Sequence, residues 1–441
     1  MKRNKMKNSI FIILLSVFFQ LPAQALTLKE QAMEAFKREH YDDAIHLMQE
    51  ALKENPADAD IYYYLGFFTH YRAYDSRPLK GYDFAYSQQI FDYLERAIEL
   101  NPQYGDAKYF YSAECGSNAI VAMQNYDLES LKYWYKKAYE KETFPPWLLE
   151  VGRNLLDSCD ENAILFTGGD ADFNVCMYLQ LHENYRQDIT VAPFGLINRP
   201  WYVKFLKDGL EGGVRKINMS LTDEQIMNIH PFKWRTTTVS IPVSDKMKEE
   251  FSLAIDYQFE WEVAPDLWSG RMHSKIEGEE ETKRTYLSPT RAILLQILED
   301  NYVERPIFVA NFASPHFYED LGNYLQNWGL ASRLIPVNTE NNPPHKYNIK
   351  KLEELLQIKN LQDLPNVKTE GMPRVTMVFI YHSITKNLLE YYKENNELEK
   401  MQQLLDFYKS NIYPNIAVSS RHEEIARYYL NTIMEIMEIM E

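Results

Sequence analysis

The run Ala163-Ile-Leu-Phe-Thr167 ends abruptly in Gly168-Gly169-Asp170-Ala171-Asp172, and this junction constrains the fold more than any other stretch of the chain. An unbroken apolar and β-branched run marks a strand buried on both faces, which belongs in a parallel sheet covered by helices. Two glycines leave bare backbone at the strand end, and two acids spaced one residue apart place carboxylates beside it. Open α/β sheets bind ligands at such carboxyl ends. Gly168, Gly169, Asp170 and Asp172 are therefore the first candidate ligand-binding residues.

The neighbouring pattern supports that sheet. Strand-like runs occur at 163–168, 188–197, 236–243, 305–312 and 331–337, with helical runs near 172–184, 199–209, 288–301 and 316–328. Their alternation predicts a mostly parallel sheet with packed helices. The stretch 264–283, which contains Glu277-Gly-Glu-Glu-Glu281, is polar enough to read as a solvated excursion.

The chain starts with a basic segment from Met1 to Lys7, an apolar stretch from Ile10 to Phe19, and Leu21-Pro-Ala-Gln-Ala25. That is the pattern of a secretory leader cut after Ala25. The apolar stretch falls short of the roughly 20 residues a membrane span needs. A soluble periplasmic protein is expected, with no membrane span after cleavage. Loss of Lys2, Arg3, Lys5 and Lys7 would move the formal charge from -16 to -20, which speaks against nucleic acid as a partner. Cys115, Cys159 and Cys176 lack metal-type spacing and read as buried apolar residues, with their disulfide status open.

From 27 to about 145 a helical pattern recurs. Ala32, Ala44, Ala51 and Pro56, then Tyr62, Leu65, Gly66, Ala97 and Pro102, fall at small, packing and helix-ending positions. This pattern resembles tetratricopeptide repeats, in which small residues let paired helices approach closely. The two prolines lie 46 residues apart against the usual 34 or so, which implies an insertion that includes 77–82. A weaker unit from Ala107 to Thr143 places Ser112 and Ala138 at small positions, with an insertion between its helices. The many tyrosines of the region from 27 to about 145, among them Tyr62 to Tyr64, Tyr109, Tyr111, Tyr133 and Tyr135, read mainly as packing. Pro145-Pro146 ends the region, and a short helix from Trp147 to Asp157 follows. After Pro343-Pro344 the chain is helical again: the segment from Leu388 to Tyr413 resembles one more degenerate repeat, with Leu389 and Met401 at its small positions.

The fold class expected is thus α + α/β: a leader over 1–25, tetratricopeptide-like repeats over 26–146, an α/β domain over 147–342 and a helical region over 343–441.

A second resemblance rests on Thr167-Gly-Gly-Asp-Ala-Asp172, Tyr178-Leu-Gln180, Arg186-Gln-Asp-Ile-Thr-Val191, Leu196-Ile-Asn-Arg-Pro-Trp-Tyr202 and Asn301-Tyr-Val-Glu-Arg-Pro-Ile-Phe308. In this order the motifs resemble the soluble C-terminal domain of bacterial membrane proteins related to the protein O-mannosyltransferases. The resemblance implies an extracytoplasmic accessory domain. It carries no glycosyl-transfer activity, because the multi-spanning catalytic part of those proteins has no counterpart here.

Carboxylates at a strand end suit a hard cation or sugar hydroxyls. Asp172 reads first as the cap of a helix beginning near Phe173, and a ligand role comes second; for Asp170 the two readings are even. Asn198 and Arg199, placed on the same sheet edge, complete the candidate set; Arg199 is suited to a carboxylate or phosphate, or to a salt bridge with Asp170. Arg305 reads as an ion pair. His182 and His230 form no metal motif, and no hydrolase, phosphate-loop or dinucleotide signature is present. No catalytic residue, metal or cofactor is assigned. Two functions follow as expectations. The first is a non-enzymatic envelope scaffold with a protein or peptide partner on the repeats; the alternative is a glycan- or sugar-phosphate-binding domain or enzyme linked to O-glycosylation, with its site at the glycine loop.

Overall fold

The computed structural model describes residues 26–74, 82–266, 286–367, 373–416, 427–428 and 430–435. The expected leader, nearly all of the insertion at 77–82 and most of the charged excursion lie outside the described residues. Helices α1 (Leu28–Lys37) and α2 (Tyr41–Glu54), α3 (Ala59–Tyr74) and α4 (Ser87–Leu100), and α5 (Gly105–Gln124) and α6 (Leu128–Glu140) pack as successive pairs. Thr27 caps α1 with a reciprocal bond to Glu30. The small positions read from the sequence are the closest contacts: Ala32, Ala44, Ala97 and Ala138 are wholly buried, and Ala51 and Ser112 nearly so. One expectation fails in the third pair. Only Asn125–Asp127 separates α5 from α6, so the extra length lies within α5, whose Ala, Gly and Ser residues let it run on past its partner.

Helix α7 (Pro146–Asp157) starts with proline at its first position, where the missing N–H costs nothing. It leads into β1 (Ile164–Thr167), α8 (Asp170–His182), β2 (Thr190–Pro193) and α9 (Pro200–Asp208). Short α10 (Asp223–Met227) and α11 (Asp245–Glu250) accompany two small antiparallel ladders, β3 (Phe232–Lys233) with β6 (Tyr286–Leu287) and β4 (Thr237–Pro242) with β5 (Gln258–Val263). Then come α12 (Pro289–Asn301), β7 (Ile307–Ala310), β8 (Leu325–Asn327) and β9 (Ala331–Leu334). The main sheet has the order β2-β1-β7-β9-β8. β1 pairs parallel with β2 and β7, as expected, whereas β9 and β8 add antiparallel pairings, so the sheet is mixed.

Two sequence expectations are corrected here. The strand expected at 236–243 forms β4 outside the main sheet. The helix expected at 316–328 is a pair of 3-10 turns, Pro315–Phe317 and Glu319–Tyr324, followed by β8. Pairing with β9 satisfies the backbone there, and tertiary context overrides the local helical period.

The C-terminal region contributes α13 (Ile349–Leu355), α14 (Ile380–Glu394) and α15 (Leu398–Phe407). Leu389 and Met401 are buried where α14 and α15 pack, and that hairpin starts earlier than the expected Leu388. One hydrophobic core runs from α3 and α4 through α5–α8 and the sheet into α14 and α15, with a smaller core inside the first pairs. The three cysteines are buried and free.

Arg305 is not the expected ion pair. It is buried and donates to the carbonyls of Asn162 (2.8 Å), Lys216 (3.0 Å) and Ala163 (2.9 Å) and to the Thr190 hydroxyl (2.8 Å). Burial lowers its pKa to about 10. The guanidinium thus ties together the amino ends of β1 and β2. Substitution Arg305→Met leaves buried acceptors without donors, at about 1–3 kcal/mol each. Its urea midpoint is expected to fall sharply while the slope m stays unchanged.

Candidate functional site

β1 lies between β2 and β7, and strand order reverses about it, so its carboxyl end is the topological switch point of the sheet. The backbone there is tightly placed. A Cβ on Gly168 would lie 2.9 Å from the Phe312 carbonyl oxygen in the loop after β7, whereas one on Gly169 would meet nothing within 4 Å. Gly168 lets two loops touch; Gly169 faces open space.

The two acids divide the work between them. α8 begins at Asp170 rather than near Phe173, so Asp172 sits inside the first turn. It is 2 % exposed, and its carboxylate accepts from the amides of Gly168 (2.7 Å) and Gly169 (2.9 Å). Burial raises its pKa, against the pull of those amides. Asp172 is a brace for the loop, with its acceptors already used. Asp170 has no such duty. It is exposed at the surface, yet protein closes around it on enough sides that burial raises its carboxyl pKa, opposed by the charges of His70 and Arg374. The side chain is reachable by solvent yet has protein on most sides. Tyr74 shows the same combination: it is 54 % exposed, and burial raises its phenol.

The groups whose charges act on Asp170, or on which it acts, come from distant parts of the chain. On α3, His70 Nδ1 lies 3.1 Å from Glu114 Oε2, and Tyr74 meets the Ser117 hydroxyl at 3.3 Å. Glu114 on α5 is wholly buried and also accepts from Tyr82, from Ser87 (2.5 Å) and from Asn118 (3.2 Å). That carboxylate holds the His70 ring in place. Tyr109, one α5 turn earlier, is pushed up to about 12 by burial and by Asp170, with Arg374 opposing. Arg374 lies in the 3-10 segment Pro373–Phe379, which packs on α5 and α7. Its guanidinium stands over the rings of Tyr109 (5.3 Å) and Phe144 (5.6 Å), and burial lowers its pKa to about 10.

Of the residues read from the sequence, Gly168, Gly169, Asp170 and Asp172 form the loop as expected. Asn198 and Arg199 are exposed and make no hydrogen bond or ion pair with it among the described residues. β2 stops at Pro193, and the turn Phe194–Asn198 carries both to the surface. Arg199 heads α9 through its backbone, and its side chain makes no ion pair among the described residues. The charge facing Asp170 is Arg374. His70, Tyr74, Tyr109 and Arg374 were all missed; the available signal was Glu114, a carboxylate set among the small residues of a helix face. His182 bonds the Lys132 carbonyl at 2.9 Å and His230 is exposed; neither acts on the Asp170 carboxyl. Among the described residues no group of three or more His, Cys, Asp or Glu side chains could hold a metal ion, and no helix is long and apolar enough to cross a membrane.

These features define an α/β module whose strand-end loop is closed over by helix pairs on one side and a C-terminal segment on the other. Residues 148–261 and 267–353 match the family model described as TMEM260-associated domain 2, a family related to O-mannosyltransferase-like membrane proteins. No tetratricopeptide family model matches the helical region. Among curated proteins, none matches the chain.

Two outcomes follow. Gly168→Ala must displace backbone at Phe312 and is expected to cost about 1–3 kcal/mol, while Gly169→Ala leaves the urea midpoint nearly unchanged. Because folding raises the Asp170 pKa, the ionised side chain lowers stability at neutral pH, and that penalty fades as pH falls through the native value. Asp170→Asn should therefore be more stable than the parent at pH 7, with the gain vanishing by about pH 4, as read by thermal melts across pH.

Proposed function

We propose that the chain is an exported accessory protein of the cell envelope that holds a glycan where tetratricopeptide-type helix pairs meet the α/β module. The observation behind this is the electrostatic reach between Asp170 and His70, Tyr74, Tyr109 and Arg374, with the Arg374 guanidinium standing 5.3 Å over the Tyr109 ring. A sugar presents hydroxyls that both donate and accept, together with C–H faces that lie on tyrosine rings, and these groups offer partners for each. The family match adds support, since its family is related to O-mannosyltransferase-like membrane proteins. The leader would deliver the chain to the periplasm, and its acidity disfavours nucleic acid.

A second reading, a protein or peptide partner on the helix pairs, draws support from a groove that includes Tyr139, Phe144, Pro145 and Trp147. There Trp147 Nε1 is buried with no acceptor among the described residues. A glycan array followed by calorimetry on the leaderless chain tests the first reading. Glycan binding is expected, weakened about tenfold or more in Asp170→Ala and Tyr109→Ala with melting intact. Glycan binding that survives both substitutions, or peptide binding that depends on Trp147 with no glycan response, would count against it.

A further inference from the structure

We infer that the aromatic face along α3 docks an extended segment of another polypeptide, with Lys or Arg side chains at the Asp60 end and apolar side chains towards Tyr74. On α3, Asp60, Tyr63, Phe67, Tyr71 and Tyr74 follow one another at spacings of three or four residues, which places them on one side of the helix. Rings from the first helices of the neighbouring pairs widen this row. Phe36 of α1 meets Tyr71 edge-on at 5.3 Å, and Phe110 of α5 meets Phe67 edge-on at 4.7 Å. Tyr63 is buried beneath the row and Phe67 and Phe110 are half-buried, whereas Tyr71 is 40 % and Tyr74 54 % exposed. Contiguous rings that reach the surface in this way mark an interaction site rather than a core.

Charge selects the partner. At the amino end of the row, Lys29 of α1 spans Asp58 (3.1 Å) and Asp60 (3.4 Å), so one cation answers two carboxylates. Asp106, four positions before Phe110 on α5, adds a third acid. Burial raises the Tyr63 phenol, and the charges of Asp106 and Asp60 raise it further. Neighbouring cations turn elsewhere: Arg72 to Asp42 on α2 (2.8 Å), Lys108 to Glu142 (2.9 Å) and His70 to the buried Glu114 (3.1 Å). The Asp60 side chain remains 57 % exposed. An arriving ammonium or guanidinium meets a carboxylate and ring faces together, the two partners that hold a cation best.

Length decides for a peptide. From Asp60 to Tyr74 the row runs about 21 Å at the helical rise, which an extended chain of about six residues spans. A monosaccharide or a simple amine covers only part of it. An acidic segment would bring like charge to Asp58, Asp60 and Asp106, with Lys29 already engaged.

The test is an array of hexapeptides probed with the purified chain. One set carries Arg or Lys at two adjacent terminal positions and varied apolar residues at the other four; matched sets replace the cations by Glu or the apolar residues by Gly and Ser. The basic, apolar set is expected to be retained and both matched sets lost. In fluorescence anisotropy with the best retained peptide, Tyr71→Ala and Asp60→Asn should each weaken binding about fivefold or more, and raising salt from about 50 to about 300 mM should weaken the parent severalfold. Asp60→Lys should move the preference towards the Glu set, a reversal that a merely structural role would not produce. Tyr133→Ala, which removes a similarly exposed ring on α6 outside the row, should change nothing. Retention of the Glu set as strong as that of the basic set, an Asp60→Lys variant with unaltered preference, or a Tyr133→Ala loss as large as that of Tyr71→Ala would overturn the inference, and so would an array with no retained peptide. Asp60 and Tyr71 take no part in the glycan assignment, so glycan binding in these same variants reports on that reading separately.

Discussion

Everything else in the molecule depends on the complete burial of α8. All residues from Asp172 to Leu181 are buried, so the helix has no solvent face. A helix of this kind must be covered on all sides. One side lies on the sheet, and the other is taken by α5, α6 and α7. The fit is close: a Cβ on Gly116 would come within 2.9 Å of the Asn174 amide, and that side chain also accepts from Tyr135 at 3.2 Å. Tyr139 stacks on Tyr178 at 4.6 Å. The helix pairs are thus joined to the α/β module through shared core.

That docking fixes the site. Because α8 is clamped along its length, its amino end is fixed, and Asp170 is held within electrostatic reach of groups on α3, α5 and the Arg374 segment. Asp172, two residues on, spends its carboxylate on the loop amides and keeps Gly168 against Phe312. A braced backbone beneath an unbraced, poorly hydrated carboxylate is the combination that binding sites maintain at some expense of stability. Glu114 plays the matching part on α5 by holding His70.

Much of the local architecture was legible. The small-residue positions marked helix contacts because close approach is a steric demand that few residue types meet, and the buried strand with its double glycine announced a strand-end loop. Legibility failed where two structures suited the local pattern equally well. Residues 316–328 have helical spacing but take their form from β9, and Arg305 reads as a surface charge until the carbonyls of Asn162, Ala163 and Lys216 surround it. Arg199 lay on the expected sheet edge, but a turn follows β2 and the expected salt bridge to Asp170 is not formed among the described residues.

The sequence by itself determined the classes of element, the parallel centre of the sheet, the packing positions of the helices and the glycine loop with its two acids. These follow from periodicity, residue size and backbone freedom, which act over a few residues. Only the tertiary structure decided which acid is spent on the loop and which is not, and that His70, Tyr109 and Arg374 come near enough to Asp170 for their charges to act on one another. Those residues are separated from Asp170 by scores to hundreds of positions, and nothing in their local spacing encodes the meeting. It is set by how α8 is enclosed, a property of the whole packed core.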